Sequence, residues 1–471
     1  MKYVSTRGEA PSLGFEDVLL TGLARDGGLY MPESWPQMSA SEIAALFGRP
    51  YSEVALTVMR PYIGDEVLEA ELRSIIEEAY QTFAHTAVAP LVQVDSRHWI
   101  MELFHGPTLA FKDVAMQVLA RLMDRALARR RRRATIVGAT SGDTGGAAIE
   151  AFRGRQAIDI FIFYPQGRVS DVQRRQMTTP SEPNVHAIAV EGTFDDCQGL
   201  VKALFNNHSL RDELDLAGVN SINWVRLMAQ IVYYFTAAVA LGAPGRRVAF
   251  SVPTRNFGDV FAGYAALRMG LPIDRLVIAT NMNDILVRTL ESGSYHPTRV
   301  TPTFSPSMDI QISSNFERLL FELAGRDAGR VRMRMSQLGQ SGGFELDAGE
   351  VAQMRRIFSA IRVDEPETLA EIRRLEADAG LIVDPHTAIG VAAARTVAET
   401  PAAARIPMVT LATAHPAKFP DAVAKAIGRL PPEPASIARQ RHLGERETRL
   451  PSDITAITQF IKERTRAGRS R

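Results

Sequence analysis

Short apolar runs alternate with stretches of helical period along most of this chain. Residues 99–104, 134–139, 158–164, 185–190, 248–252, 275–280 and 408–413 read as strands, while 114–130, 144–152, 197–206, 224–241 and 259–269 carry the spacing of helices. Strands that are apolar throughout, with helices between them, predict parallel sheets covered on both faces. The fold class is therefore α/β with more than one sheet. Residues 1–95 differ, being more helical and poor in strand runs, and are expected to form an N-terminal subdomain. Two α/β units are expected over 96–215 and 216–430. The Pro- and charge-rich stretch opening with Pro431-Pro-Glu-Pro434 marks 431–471 as a peripheral extension.

Composition narrows the function. With 471 residues, 46% hydrophobic and 23% charged, the chain has enough apolar surface for two or three cored domains. Its 54 basic residues nearly cancel 53 acidic ones, so the global field favours neither nucleic acid nor an anionic membrane as partner. Recognition of an anion has to be local. No apolar run approaches the roughly 20 residues of a membrane span, and residues 1–9 lack the apolar stretch of a signal peptide. One cysteine, Cys197, excludes an intramolecular disulfide and fits a reducing cytoplasm; its surroundings suggest a buried structural thiol. The five arginines at 129–133 end a predicted helix, where cations complement the helix dipole, and are read as a solvated helix end.

Candidate chemistry begins with lysine usage. Six lysines stand against 48 arginines, and one of the six lies in His105-Gly-Pro-Thr-Leu-Ala-Phe-Lys112-Asp113. Arginine stays protonated and is no amine nucleophile, whereas a buried lysine shifts its pKa and can bond covalently to a carbonyl. A second segment, Gly138-Ala-Thr-Ser-Gly-Asp-Thr-Gly-Gly146, joins a strand to a helix. Its hydroxyls, on Thr140, Ser141 and Thr144, stand beside the free N–H groups of a helix N-terminus, a setting for a carboxylate or phosphate. The plain alternative is a capped turn with Ser141 or Asp143 as the N-cap. Val252-Pro-Thr-Arg-Asn-Phe-Gly-Asp259 forms another such turn, whose N–H groups suit a phosphate. The segment 413–420 sits at the carboxyl end of a strand and offers His415 and Lys418; catalytic use and a structural turn both remain open.

Together with Tyr3-Val-Ser-Thr-Arg-Gly8, Asp26-Gly-Gly-Leu-Tyr30, Asn220-Ser-Ile-Asn-Trp224 with Arg226, Asn281, Asn283-Asp-Ile-Leu286, Ser307-Met-Asp-Ile310, Ser313-Ser-Asn-Phe-Glu-Arg318 and Asp384-Pro-His-Thr-Ala388, these segments resemble the threonine synthases. The resemblance covers nearly the whole chain and points to the longer branch of that family, found in yeast and many bacteria. It implies an α/β fold of type II, similar to the tryptophan synthase β-subunit, and the cofactor pyridoxal 5'-phosphate. Lys112, beside Phe111, is implied to hold the cofactor and to move protons at Cα and Cβ of the substrate. Arg255, Asn256, Phe257, Gly258 and Asp259 would hold the cofactor phosphate. Thr413 would meet the pyridine nitrogen, and Asp143 would lie near the ring hydroxyl. Thr140, Ser141, Gly142 and Thr144 are implied at the substrate carboxylate, Asn223 on the substrate side, and Arg226 at the leaving phosphate; no metal is implied. The implied substrate is O-phospho-L-homoserine, which with water gives L-threonine and phosphate in the last step of threonine biosynthesis, by a cytoplasmic monomer or homodimer.

One position departs from the family pattern. Arg255 stands where Gly-Asn-Phe-Gly has its first glycine. If that glycine serves a positive φ or a close approach, the arginine strains the loop by about 1–3 kcal/mol. With ordinary backbone angles the side chain instead points outward or pairs with an anion. Two other readings follow: a lyase that releases 2-oxobutyrate, and a non-catalytic homologue disabled by Arg255.

Overall fold

The computed structural model describes residues 1–399 and 405–468. Two sheets organise the chain. The larger has six strands in the order Phe358–Arg362, Ile273–Thr280, Val248–Pro253, Met408–Ala412, His98–Glu102 and Leu91–Gln93. All neighbours are parallel except the last pair. The smaller sheet is parallel throughout, in the order Thr448–Pro451, Val185–Glu191, Ile158–Pro165, Ala134–Ala139 and Leu216–Ala217. Every residue of Val248–Pro253 and Ile158–Pro165 is buried, as expected of strands with helices on both faces.

The seven strands read from the sequence are all present, as are the five helices. Strand His98–Glu102, however, pairs with Met408–Ala412 and so belongs to the larger sheet, not to the sheet of residues 134–217. The expected peripheral extension also needs correction. Thr448–Pro451 pairs in register with Val185–Glu191, and the helix Ile454–Arg464 buries Ile457, Phe460 and Ile461 against Phe161, Ile188 and Leu204. Three apolar side chains on one helical face outweigh the polar composition around them.

The N-terminal region packs its aromatic residues around one central helix, Trp224–Ala240. Tyr3, Trp35 and Tyr62 place their rings 6.2, 6.1 and 5.5 Å from that of Trp224. Tilted contacts of this kind add about 0.5–1.5 kcal/mol each beyond area burial. The arginine run 129–133 is largely exposed, as read from the sequence, yet Arg129 and Arg130, with Arg125 one turn earlier, converge on the buried carboxylate of Glu16 and tie the helix Lys112–Arg130 to the helix Phe15–Thr21. Cys197 is buried, and burial pushes its thiol up to about 12. No helix among the described residues is long and apolar enough to cross a membrane.

Candidate active site

Turns at the carboxyl ends of four strands, His98–Glu102, Ala134–Ala139, Val248–Pro253 and Met408–Ala412, converge where the sheets face each other. They bound a cavity of about 520 Å³. Ligands of open α/β sheets bind at such strand ends.

Local chemistry aims Lys112 into this cavity. The Asp113 carboxylate accepts hydrogen bonds from the N–H of Thr108 at 2.8 Å and from its hydroxyl at 2.7 Å, curling the preceding loop. Gly106 is required there, because a Cβ would strike the Asp113 side chain. Leu109 takes a left-handed φ of 61°. The loop is then clamped to the strand end opposite: the Phe111 N–H donates to Thr413 O at 2.9 Å, and the His415 N–H to Leu109 O at 3.0 Å. Lys112 Nζ lies 3.4 Å from Asp143 Oδ2 and 4.7 Å from the centre of the Phe111 ring. Burial lowers its pKa; Asp143 opposes this, while Lys418, Arg255 and Arg226 add to it, leaving the amine at about 8. Roughly one lysine in ten is then neutral at pH 7, which an ordinary lysine does not approach.

Asp143 opens the helix Asp143–Phe152 and is gripped from beneath. Lys418 Nζ, fully buried, lies 2.8 Å from Asp143 Oδ1 and donates to Thr108 O at 2.7 Å. Gln173 Nε2 donates to the same Asp143 oxygen at 2.9 Å. Burial alone would raise the Asp143 pKa, but Lys418 and Lys112 hold it far below the usual carboxylate range. The helix N-terminus is served by Thr140, whose Oγ1 accepts from the N–H groups of Gly142 and Gly145, both at 2.9 Å. The N-cap position itself is Gly142, at φ 139°, and neither Ser141 nor Asp143 fills that role.

The turn after Val248–Pro253 is built differently. Phe257 sits at φ 61° and opens the helix Gly258–Arg268, whose N-terminus has no side-chain cap. The Phe257 ring is locked against Phe316 and Phe358, 5.4 and 5.8 Å away. Arg255 is not among the described residues with a left-handed backbone, so the strain expected from replacing a glycine there is absent. Its carbonyl accepts from Ser313 Oγ at 2.6 Å, and its guanidinium reaches across the cavity to the Phe194 ring, 5.5 Å from the centroid. Asp259 turns its carboxyl towards the hydroxyls of Tyr233 and Tyr234; burial raises its pKa to about 6.

Of the residues singled out from the sequence, Phe111, Lys112, Thr140, Ser141, Asp143, Thr144, Arg226, Arg255, Asn256, Phe257, Gly258, Asp259 and Thr413 line the cavity. Gly142 and Asn223 do not. Gly142 packs against Gln173, and Asn223 is a buried helix cap: its Oδ1 accepts from the Val225 N–H and its Nδ2 donates to Leu19 O. Arg226 is buried, with Val219 O at 2.9 Å as the only oxygen partner of its guanidinium among the described residues. Sequence reasoning missed Phe194, Gln198 and Lys202 on the helix Phe194–Asn206, and it quoted the segments holding residues 307–310, Ser313 and His386 for the resemblance without giving them a place in the site. It left Lys418 open between catalysis and a turn; the available signal was a retained lysine in a lysine-poor chain, and its burial is seen only in the structure. His386 has both ring nitrogens engaged, Nδ1 with Asp384 at 2.6 Å and Nε2 with the Ser307 N–H at 3.2 Å, and so braces the loop at Ser307.

A buried amine of lowered pKa beside two helix N-termini, in a doubly covered α/β fold, defines an enzyme of the pyridoxal-phosphate-dependent class. A family model described as "Pyridoxal-phosphate dependent enzyme" matches residues 84–334. Models described as "Threonine synthase N terminus" and "Threonine synthase, C-terminal" match residues 2–80 and 387–461. The threonine synthase of Pseudomonas aeruginosa is 52% identical over 470 residues, covering 100% of both chains. That of Saccharomyces cerevisiae is 42% identical, covering 90% of this chain and 89% of its own. A crystal structure of PLP-bound threonine synthase from Brucella melitensis superposes with a TM-score of 0.96 at 59% identity, over 99% of this chain and 100% of that one. The chain belongs to the threonine synthase family.

Proposed function

We propose that the chain converts O-phospho-L-homoserine and water to L-threonine and phosphate, with Lys112 as the proton carrier. The observation that carries this reading is the Lys112 amine, buried in the cavity and depressed to about 8. The residues present fit pyridoxal phosphate: an enclosed amine for its carbonyl, an uncapped helix N-terminus at Gly258 for its phosphate, and the Thr413 hydroxyl for its ring nitrogen. When bound, the cofactor supplies an electron sink for charge developing at Cα and Cβ of the substrate.

The chain's own groups supply the rest. Lys112 would take the Cα proton, give it up, take a proton from Cβ and return one to Cγ after phosphate has left; each uptake requires the neutral amine that burial favours. Asp143, fixed as an anion by Lys418, sits beside that amine near the position assigned to the ring hydroxyl. Thr140, Ser141 and Thr144 receive the substrate carboxylate at the N-terminus of Asp143–Phe152. Arg226, short of polar partners in an enclosed site, suits the departing phosphate. Neither the 2-oxobutyrate lyase nor the disabled homologue is favoured by the comparisons. Titration with phosphohomoserine, following phosphate and threonine together, is expected to give one threonine per phosphate. Phosphate accompanied by 2-oxobutyrate would replace this reading with the lyase.

A further inference from the structure

Arg255 has a side chain without an anion. Among the described residues no hydrogen bond or ion pair engages its guanidinium, and its Nε is enclosed with no partner. The Phe194 ring lies 5.5 Å from the guanidinium. The two carboxylates whose charge it feels are committed elsewhere: Asp143 to Lys112, Lys418 and Gln173, and Asp309 to Thr303, Asn281 and Asn283. Arg255 is half-buried with its Nε shielded from solvent; an N–H so shielded is costly unless a partner completes it, and the planar fork matches phosphate in a bidentate manner. Its loop has an ordinary backbone at Arg255, so the side chain is accommodated without strain. Among the described residues the cavity therefore presents three cations without a carboxylate, Arg226, Arg255 and Lys202, the first two in the same lining as the uncapped helix N-terminus at Gly258.

We infer that Arg255 binds a phosphate group within the cavity, acting as a second cation alongside Arg226 and the helix N-terminus at Gly258. The inference deepens the proposed reaction and rests on it, because that reaction brings two phosphates into one site: the cofactor's and the substrate's. Either can be the one Arg255 meets, and the two are separable.

The experiment compares the parent enzyme with Arg255→Gln, Arg255→Lys and Arg255→Gly. Inorganic phosphate is titrated calorimetrically into the cofactor-loaded proteins, KM and kcat are measured with phosphohomoserine, and cofactor affinity is read from absorbance. Losing one charge-assisted contact is expected to weaken binding roughly 10- to 100-fold. If Arg255→Gln weakens inorganic phosphate and raises KM with kcat and cofactor affinity held, Arg255 meets the substrate phosphate. If cofactor affinity falls and KM under saturating cofactor is unchanged, it meets the cofactor phosphate. Arg255→Lys retains part of the effect in either case. Changes below about twofold in all three quantities, in variants with unaltered thermal unfolding, overturn the inference, as does tighter binding of either phosphate by Arg255→Gly. Failure of the parent chain to form threonine would instead remove the proposed reaction, and the calorimetric comparison would still judge Arg255.

Discussion

The two strand-to-helix turns that face the cavity solve the same backbone problem in opposite ways. After Ala134–Ala139, the turn satisfies its own N–H groups with Thr140 and secures its first helical side chain, Asp143, between two lysines. After Val248–Pro253, the turn leaves the helix uncapped, spends a left-handed Phe257 on its shape, and leaves the Arg255 guanidinium without an anion. The first turn is the more completed by its own side chains, with two N–H groups tied to Thr140 and the rest of its helix N-terminus left for the substrate carboxylate. The second stays open and is shaped to receive an anion.

The comparison breaks most sharply at Lys418. Lys418→Met removes a cation that repels Lys112 and leaves Asp143 to pair with Lys112 alone, and both effects favour the protonated amine. The limb of threonine formation that rises as Lys112 loses its proton is expected near pH 8 in the parent enzyme. In the variant it moves to higher pH, and each unit of movement lowers the rate at pH 7 about tenfold. Lys418→Arg keeps the charge and should restore much of the midpoint. Initial rates between about pH 6 and 10 decide this, and an unmoved midpoint would mean that Lys418 only fills space.

A smaller effect is expected at the completed turn. Gly142→Ala places a side chain at φ 139° and against Gln173, so the cost is about 1–3 kcal/mol, read in thermal unfolding, with loosening of the Gln173 contact to Asp143. The smallest belongs to the open turn. A Cβ at Gly258 would lie 3.2 Å from Nδ2 of Asn315, a buried side chain held by Ser221 and Arg318, so it needs that amide to give by only a few tenths of an ångström. Gly258→Ala should then lower cofactor affinity by only about threefold, under 1 kcal/mol, with unchanged unfolding; a large loss of stability would show that this turn is rigid after all.

Much of the fold was legible because the central strands are buried on both faces and read as unbroken apolar runs. Within the two main sheets the four strands that escaped, Phe358–Arg362, Leu91–Gln93, Thr448–Pro451 and Leu216–Ala217, are the edges. They are two to five residues long, and three of them are only partly buried, so no apolar run announces them. The site divides in the same manner. Lys112 and the two turns carry local signatures, whereas the grip of Lys418 on Asp143 joins positions 275 residues apart. Asn223 shows the reverse error, since an asparagine preceding a helix is explained by capping alone. Arg255 could be weighed only once its backbone was seen to be unstrained.

The central claim is that the buried amine of Lys112 carries the protons of threonine formation. Lys112→Ala should be loaded with cofactor, supplied with phosphohomoserine, and followed for phosphate and threonine at once. Threonine formation is expected to fall to background while the protein remains folded. Threonine produced at the parent rate by this variant would contradict it.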